Sequence, residues 1–126
     1  MSIKFVRPHL TPDQLQTFFG KESLAGEPSS RVRKSAAAVL WYLNAGLVRV
    51  GEPKTFATNV WVKRAILAYF STSKAQALNS GCFEYFDKLP VKRRASLKDV
   101  RVVPGAVVRF GSFVAPGAIL MPSFVN

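Results

Sequence analysis

The sequence predicts an α+β chain in which helices come first and short strands wound as a stacked coil come last. Three observations carry that prediction. Up to about residue 100, apolar positions fall at helical spacing between capping and breaking residues. From Val102 onward an aliphatic residue recurs every six positions, a column that a helix of 3.6-residue period would scatter. The 126 residues are 48% hydrophobic and 20% charged, so enough apolar surface exists to offset chain entropy and the chain reads as globular.

The first element is announced by Thr11-Pro12-Asp13-Gln14. Thr11 is an N-cap, Pro12 sits where a missing N–H costs nothing, and Gln14 occupies the capping-box position, with Leu10 and Leu15 as a hydrophobic staple. The helix runs from about Pro12 to Phe19, with Leu15, Phe18 and Phe19 as its apolar side and Gly20 as its stop. Residues 20–30, with Gly20, Gly26, Pro28, Ser29 and Ser30, read as a linker. A second helix follows from Ser30, with Val32, Ala36, Val39, Leu40 and Leu43 at helical spacing and Gly46 as its C-terminal glycine. Its first turn carries Arg31, Arg33 and Lys34, against the helix dipole, which points to cations tolerated on a wet face more than to cations held for a partner.

Leu47–Val50 is expected as a short strand closed by Gly51-Glu52-Pro53. Thr58 or Asn59 then caps a third helix over about Val60–Phe70, apolar nearly all round except at Lys63 and Arg64, with Trp61, Ala65, Leu67, Ala68 and Tyr69 read as packing residues. Residues 71–81 are a loop or a short edge strand. Phe83–Pro90 is an aromatic segment ending at a proline, and Val91–Asp99 a basic loop.

The repeat then begins. Val102, Val108, Val114 and Leu120 form the aliphatic column; Gly105, Gly111, Gly117 and Ser123 form a small-residue column one half-repeat away. Short strands joined by tight turns fit this pattern, with the aliphatic column inward and glycine wherever φ is positive. In the fourth copy Phe124 stands where Ala106, Ser112 and Ala118 stand in the others, so the coil is expected to change shape there. By segment the organisation is 1–30, an N-terminal helix and linker; 31–100, a helical domain; and 101–126, the start of the coil.

Composition narrows the function classes. One cysteine, Cys82, allows no internal disulfide, and with the single His9 it cannot make a four-ligand zinc site. Met1–Pro8 is interrupted by charge and proline before a leader's apolar region forms, and the uncharged stretch Phe110–Asn126 holds Gly111, Pro116, Gly117 and Pro122, so a cytoplasmic protein without a membrane helix is expected. The excess of 18 Lys and Arg over 7 Asp and Glu, a net charge of +11, suits a polyanionic partner, yet the basic residues are dispersed, which makes nucleic acid the weaker reading.

Several runs together resemble one family: Ala45-Gly46-Leu47-Val48-Arg49-Val50, Trp61-Val62-Lys63-Arg64-Ala65-Ile66-Leu67, Tyr85-Phe86-Asp87-Lys88-Leu89-Pro90, Arg101-Val102-Val103-Pro104-Gly105-Ala106-Val107-Val108-Arg109, and Leu120-Met121-Pro122-Ser123-Phe124-Val125-Asn126. The chain is similar to the N-terminal portion of the tetrahydrodipicolinate N-succinyltransferases of bacterial lysine and diaminopimelate synthesis, over roughly Arg33–Asn126, with the first thirty residues outside the match. The resemblance implies a left-handed parallel β-helix of hexapeptide repeats and a homotrimer with its substrate site between subunits. It also implies transfer of succinyl from succinyl-CoA, a co-substrate and not a bound cofactor, to the amino group of a ring-opened dicarboxylate.

Arg101 matches the family arginine that contacts a substrate carboxylate, a role a guanidinium performs with two parallel donors; the alternative is an arginine at the coil entry paired with a nearby acid. The family's catalytic acids and CoA-binding coils lie downstream of the Leu120–Asn126 run. No catalytic, CoA-binding or metal-binding residue is therefore assigned in this chain, which alone is expected to be inactive, and Glu84, Asp87 and Asp99 are not promoted to fill that place. Asp87 is read as structural, anchoring the segment before the repeat through an ion pair or a capping bond. Two other readings stand beside the enzyme: an interaction fragment that adds its open coil to a β-helical partner, and a basic nucleic-acid-binding module.

Overall fold

A computed structural model describes residues 4–126. Met1–Ile3, part of the opening segment read as too interrupted for a leader, lie outside the described residues. Helices α1 (Pro12–Phe19), α2 (Ser29–Asn44) and α3 (Val60–Thr72) come first, then strands β1 (Gln76–Ser80), β2 (Phe83–Asp87), β3 (Arg101–Val102), β4 (Val107–Val108), β5 (Ile119–Leu120) and β6 (Phe124–Val125), with a single 3₁₀ turn at Arg94–Ser96. The architecture is α+β, and its contacts form two compact units, Lys4–Lys74 and Ala75–Asn126.

In the first unit each helix end has an identifiable cause. The Thr11 hydroxyl accepts from the Gln14 amide at 3.3 Å while the Thr11 amide donates to Gln14 Oε1 at 2.9 Å, a complete capping box. Gly20 ends α1 without a positive φ; a Cβ there would lie 2.8 Å from the Gln16 carbonyl oxygen, so close backbone approach is what demands glycine. The end of α1 is also held from outside, because Arg64 on α3 donates to the Lys21 carbonyl at 2.7 Å. Helix α2 closes as a Schellman motif: Gly46 has φ of +73°, its amide donates to the Leu43 carbonyl, and the Leu47 amide donates to that of Tyr42.

That closure bears on the strand expected at Leu47–Val50, which does not form. The segment leaves the helix through a left-handed glycine and turns; its one ladder contact is an isolated antiparallel bridge, Gly51 to Thr58. Asn59 organises this turn, its side-chain amide donating to the Arg49 carbonyl and to Glu52 Oε1, both at 2.8 Å. So employed, Asn59 is the residue before α3 but gives the helix no side-chain cap.

The three helices pack on one another around Leu15, Phe19, Ala36, Val39, Leu40, Leu43, Val62 and Ala65, all buried. Every apolar position assigned to α2 from spacing, Val32 included, is buried. On α3 the assignment holds for Ala65 and Tyr69 but not for Leu67, which is 59% exposed: a helix apolar on all sides turns only the stripe Val62–Ala65–Tyr69 inward.

In the second unit, β1 and β2 pair antiparallel across the Gly81-Cys82 turn, where Gly81 has φ of +64°. The repeat segment pairs in parallel instead. Arg101 lies beside Ile119 and Val102 beside Leu120, an offset of eighteen residues or three six-residue repeats. Val107 lies beside Phe124 and Val108 beside Val125, one residue fewer. The expected change of shape at Phe124 is this one-residue slip.

Val102, Val108, Val114 and Leu120 gather with Leu97, Val100, Ala118 and Val125 into one apolar cluster, so the six-residue column does face inward. Gly105, Gly111 and Gly117 all have positive φ, between +83° and +101°. The column reaches one repeat further back than the glycines reveal: Asp99, six residues before Gly105, has φ of +53°, a conformation aspartate tolerates better than most residues. Its carbonyl accepts from the Gly117 amide at 2.7 Å, which joins successive turns of the repeat.

Candidate functional site

Arg101 opens β3. Its amide donates to the Ala118 carbonyl at 3.0 Å and its neighbour Val102 joins the apolar cluster, so both backbone and flanking side chain are fixed by the repeat. The Arg101 side chain is exposed. Its guanidinium makes no ion pair with any described residue, and the acids that precede it in this unit are not brought to it. A cation held at its root by a β-ladder and free at its tip can form a bidentate pair with a carboxylate without first giving up an internal partner.

The basic segment before Arg101 divides into residues with different duties. Lys92 is buried; its ammonium donates to the Ser112 carbonyl at 2.8 Å and its amide to that of Val108, and burial holds its pKa below the ordinary lysine value. Arg94 turns back to donate to the Leu97 carbonyl. Arg93 and Lys98 are exposed, as Arg101 is. What reads in sequence as one basic loop is thus partly internal scaffolding and partly open positive surface.

Asp87 is structural, as expected from its segment. Both its carboxylate oxygens accept from Arg109 Nη2, at 2.9 and 2.7 Å, and Oδ1 also accepts from the Lys88 amide. Sequence reasoning anticipated an ion pair for Asp87 without finding its partner; the signal was the one charged residue within the repeat, Arg109, beside otherwise apolar and small columns. The same guanidinium reaches the side-chain oxygen of Asn126 at 3.2 Å. Val91 bridges to Arg109 in the backbone, so the aromatic segment and the repeat are joined by ladder and ion pair together. Cys82 is exposed at the hairpin turn. No group of three or more His, Cys, Asp and Glu fit to hold a metal exists among the described residues, and no described helix is long and apolar enough to cross a membrane.

Fold and site together define an α+β chain with three helices ahead of small paired strands and an open arginine at the first parallel strand. Residues 13–72 match the family model described as Tetrahydrodipicolinate N-succinyltransferase N-terminal. The 2,3,4,5-tetrahydropyridine-2,6-dicarboxylate N-succinyltransferase of Leptothrix cholodnii is 44% identical over 113 residues, covering 82% of this chain and 41% of the relative. Those of Rickettsia akari and Methylobacillus flagellatus are 38% and 39% identical, covering 75% and 78% of this chain. The chain spans about two fifths of the length of these relatives, 38% to 41%. Over its matched length the chain is similar to the N-terminal portion of the tetrahydrodipicolinate N-succinyltransferases. The family-model match starts at residue 13, not near Arg33, so it takes in α1 from Asp13 onward.

Proposed function

We propose that this chain is the N-terminal part of a succinyl-CoA-dependent N-succinyltransferase that acts on the ring-opened form of tetrahydrodipicolinate in cytoplasmic lysine and diaminopimelate synthesis. The single observation carrying the reading is the 44% identity to a named N-succinyltransferase over most of this chain. In this reading residues 1–30, 31–100 and 101–126 are the N-terminal helix and linker, the helical domain and the first coil of a left-handed β-helix. The parallel pairs at an offset of three repeats and the inward aliphatic column support the last assignment. Homotrimers of the complete protein place the substrate site between subunits.

Arg101 holds a substrate carboxylate, and its open guanidinium on a fixed strand supports that role. The substrate amine attacks the thioester carbonyl, the carbonyl carbon–sulfur bond breaks, and the amine proton passes through a base to the leaving sulfur, so that CoA leaves as the thiol. Residues for the base and for CoA are not assigned within this chain, so the chain alone supplies carboxylate binding and not turnover.

A thiol-release assay on the 126-residue chain with succinyl-CoA and the dicarboxylate is expected to show no turnover. Turnover at an ordinary enzymatic rate would overturn the placement of the catalytic groups. Joined at Asn126 to the remaining coils of the Leptothrix relative, the chain is expected to be active, and there Arg101→Ala raises KM for the dicarboxylate by about tenfold or more, the worth of one charged hydrogen-bonded pair. An unchanged KM would remove Arg101 from the site.

A further inference from the structure

Within the helical unit a cleft of about 570 Å³ opens between α1 and the start of α2. Its walls are of two kinds. Leu10, Phe18 and Pro28 make an apolar side, whereas Gln14, Ser30, Lys34 and Ser35 bring hydroxyl, amide and ammonium groups. The first turn of α2 is left open toward it: the residue before the helix is Pro28, which has no side-chain acceptor, and no acidic residue lies in that turn. The Arg31 and Val32 amides donate to the Pro28 carbonyl, while the Ser30 amide donates to no described residue. An uncapped N-terminus of a 16-residue helix presents unpaired N–H groups and the positive end of the helix dipole.

A second, independent observation points to a ligand. Ser35 lines the cleft at 4% exposure, and its hydroxyl makes no hydrogen bond with any described residue, although a serine in mid-helix can satisfy itself on the carbonyl four residues back. The Ser35 oxygen is reached from the cleft, so its unused donor is available to a ligand there. Charge in the cleft is also distributed to suit an anion. Glu27, the nearest acid in sequence, is occupied by Lys21 at 3.2 Å and Arg31 at 3.0 Å, and Arg31 lies over the Phe18 ring. Lys34, exposed and in no ion pair with a described residue, remains as the open cation.

We propose that the α1/α2 cleft binds a small organic oxyanion, its charged end on the Ser30 amide, the Ser30 and Ser35 hydroxyls and Lys34, and its apolar body against Leu10, Phe18 and Pro28. This site is separate in residues from Arg101 and does not rest on the acyltransferase reading.

The test is an amide-resolved NMR titration of the full chain with phenyl phosphate, with benzoate, inorganic phosphate and phenol as parallel arms and sodium chloride matched throughout. Saturable shifts at Ser30 to Ser35 are expected at low-millimolar phenyl phosphate, with inorganic phosphate and phenol each weaker by about fivefold or more, since each lacks half of the contacts. Benzoate against phenyl phosphate tells whether the site prefers a carboxylate or a phosphate. Ser35→Ala and Lys34→Gln are each expected to weaken binding by about threefold to tenfold. Lys34 is exposed, so its variant keeps the fold and decides the matter should Ser35→Ala disturb packing. Absence of a saturable shift up to about 20 mM, or affinity untouched by Lys34→Gln, overturns the proposal.

Discussion

The two units solve the burial problem by different periodicities. In Lys4–Lys74, three amphipathic helices close on each other, and Leu15, Ala36, Val39, Val62 and Ala65 reach zero exposure. In Ala75–Asn126 the apolar cluster is built by repeats laid side by side, and of its members only Leu97, Val100 and Val108 are fully buried. Helices satisfy their own backbone and need neighbours only for side chains; short parallel strands need neighbours for both. The second unit accordingly shows Ile119, Met121 and Phe124 at 57% to 62% exposure. Strands β5 and β6 each have one partner among the described residues, a condition that favours pairing with further chain.

That contrast can be broken from either side. The largest effect is expected from Leu15→Ala, which empties a fully buried site where three helices meet: about 3 kcal/mol of stability, read from denaturant unfolding of the helical unit by far-ultraviolet circular dichroism. In the strand unit the comparable blow is Asp87→Ala. It strips a part-buried Arg109 of a bidentate partner and should cost about 2 kcal/mol, with faster amide exchange at Arg109 and Phe110 as the local signature. A loss below about 0.5 kcal/mol would mean that the aromatic segment is held by its ladder alone.

Gly105→Ala comes next, at about 1 to 2 kcal/mol. The new Cβ would occupy a φ of +92° and meet Pro122 at 3.4 Å, whereas Gly117→Ala, with a similar φ and open space around it, should cost only the conformational part. Equal effects at the two glycines would show that stacking of turns adds nothing. Thr11→Ala, loss of half a capping box, is expected to cost about 1 kcal/mol and to raise exchange in the first turn of α1.

The smallest effect concerns pH. Burial lowers the Lys92 pKa in the folded chain, so the unfolded chain binds the proton more tightly, and stability should rise as pH climbs from the folded value toward the ordinary lysine value. Lys92→Met removes that slope, and unfolding curves of the two proteins across alkaline pH measure it by difference.

Much of this was legible. Thr11-Pro12-Asp13-Gln14 and the spacing of Val32, Ala36, Val39, Leu40 and Leu43 specify α1 and α2 because caps and helical faces are local signals. The six-residue column was equally readable, and it finds its interior. Leu47–Val50 misled because three of its four positions are apolar or β-branched and resemble a strand, whereas the Gly46 exit and the Asn59 side chain decide the turn. Asp99 escaped notice as a repeat position because its backbone conformation, not its chemistry, assigns it to the glycine column. Lys92 was unreadable for another reason: its acceptor is a carbonyl twenty residues away, a partner with no sequence signature. Of the candidate site, the position and openness of Arg101 follow from the repeat, while the α1/α2 cleft depends on three elements meeting, Leu10 before α1, Phe18 on it and Ser35 on α2, and no run of residues announces it.

The slip of one residue between β4 and β6 has a chemical effect on the interior. Continued at six residues, the inward column after Leu120 would arrive at Asn126, and a carboxamide would enter a cluster of valines and leucines at a cost of about 1 to 3 kcal/mol unless satisfied there. Pairing Val108 with Val125 turns the valine inward instead, leaves the Phe124 ring outside, and delivers Asn126 to the exposed side, where its oxygen accepts from Arg109. A frame error in the rhythm of the chain is thus what keeps an amide out of its oil.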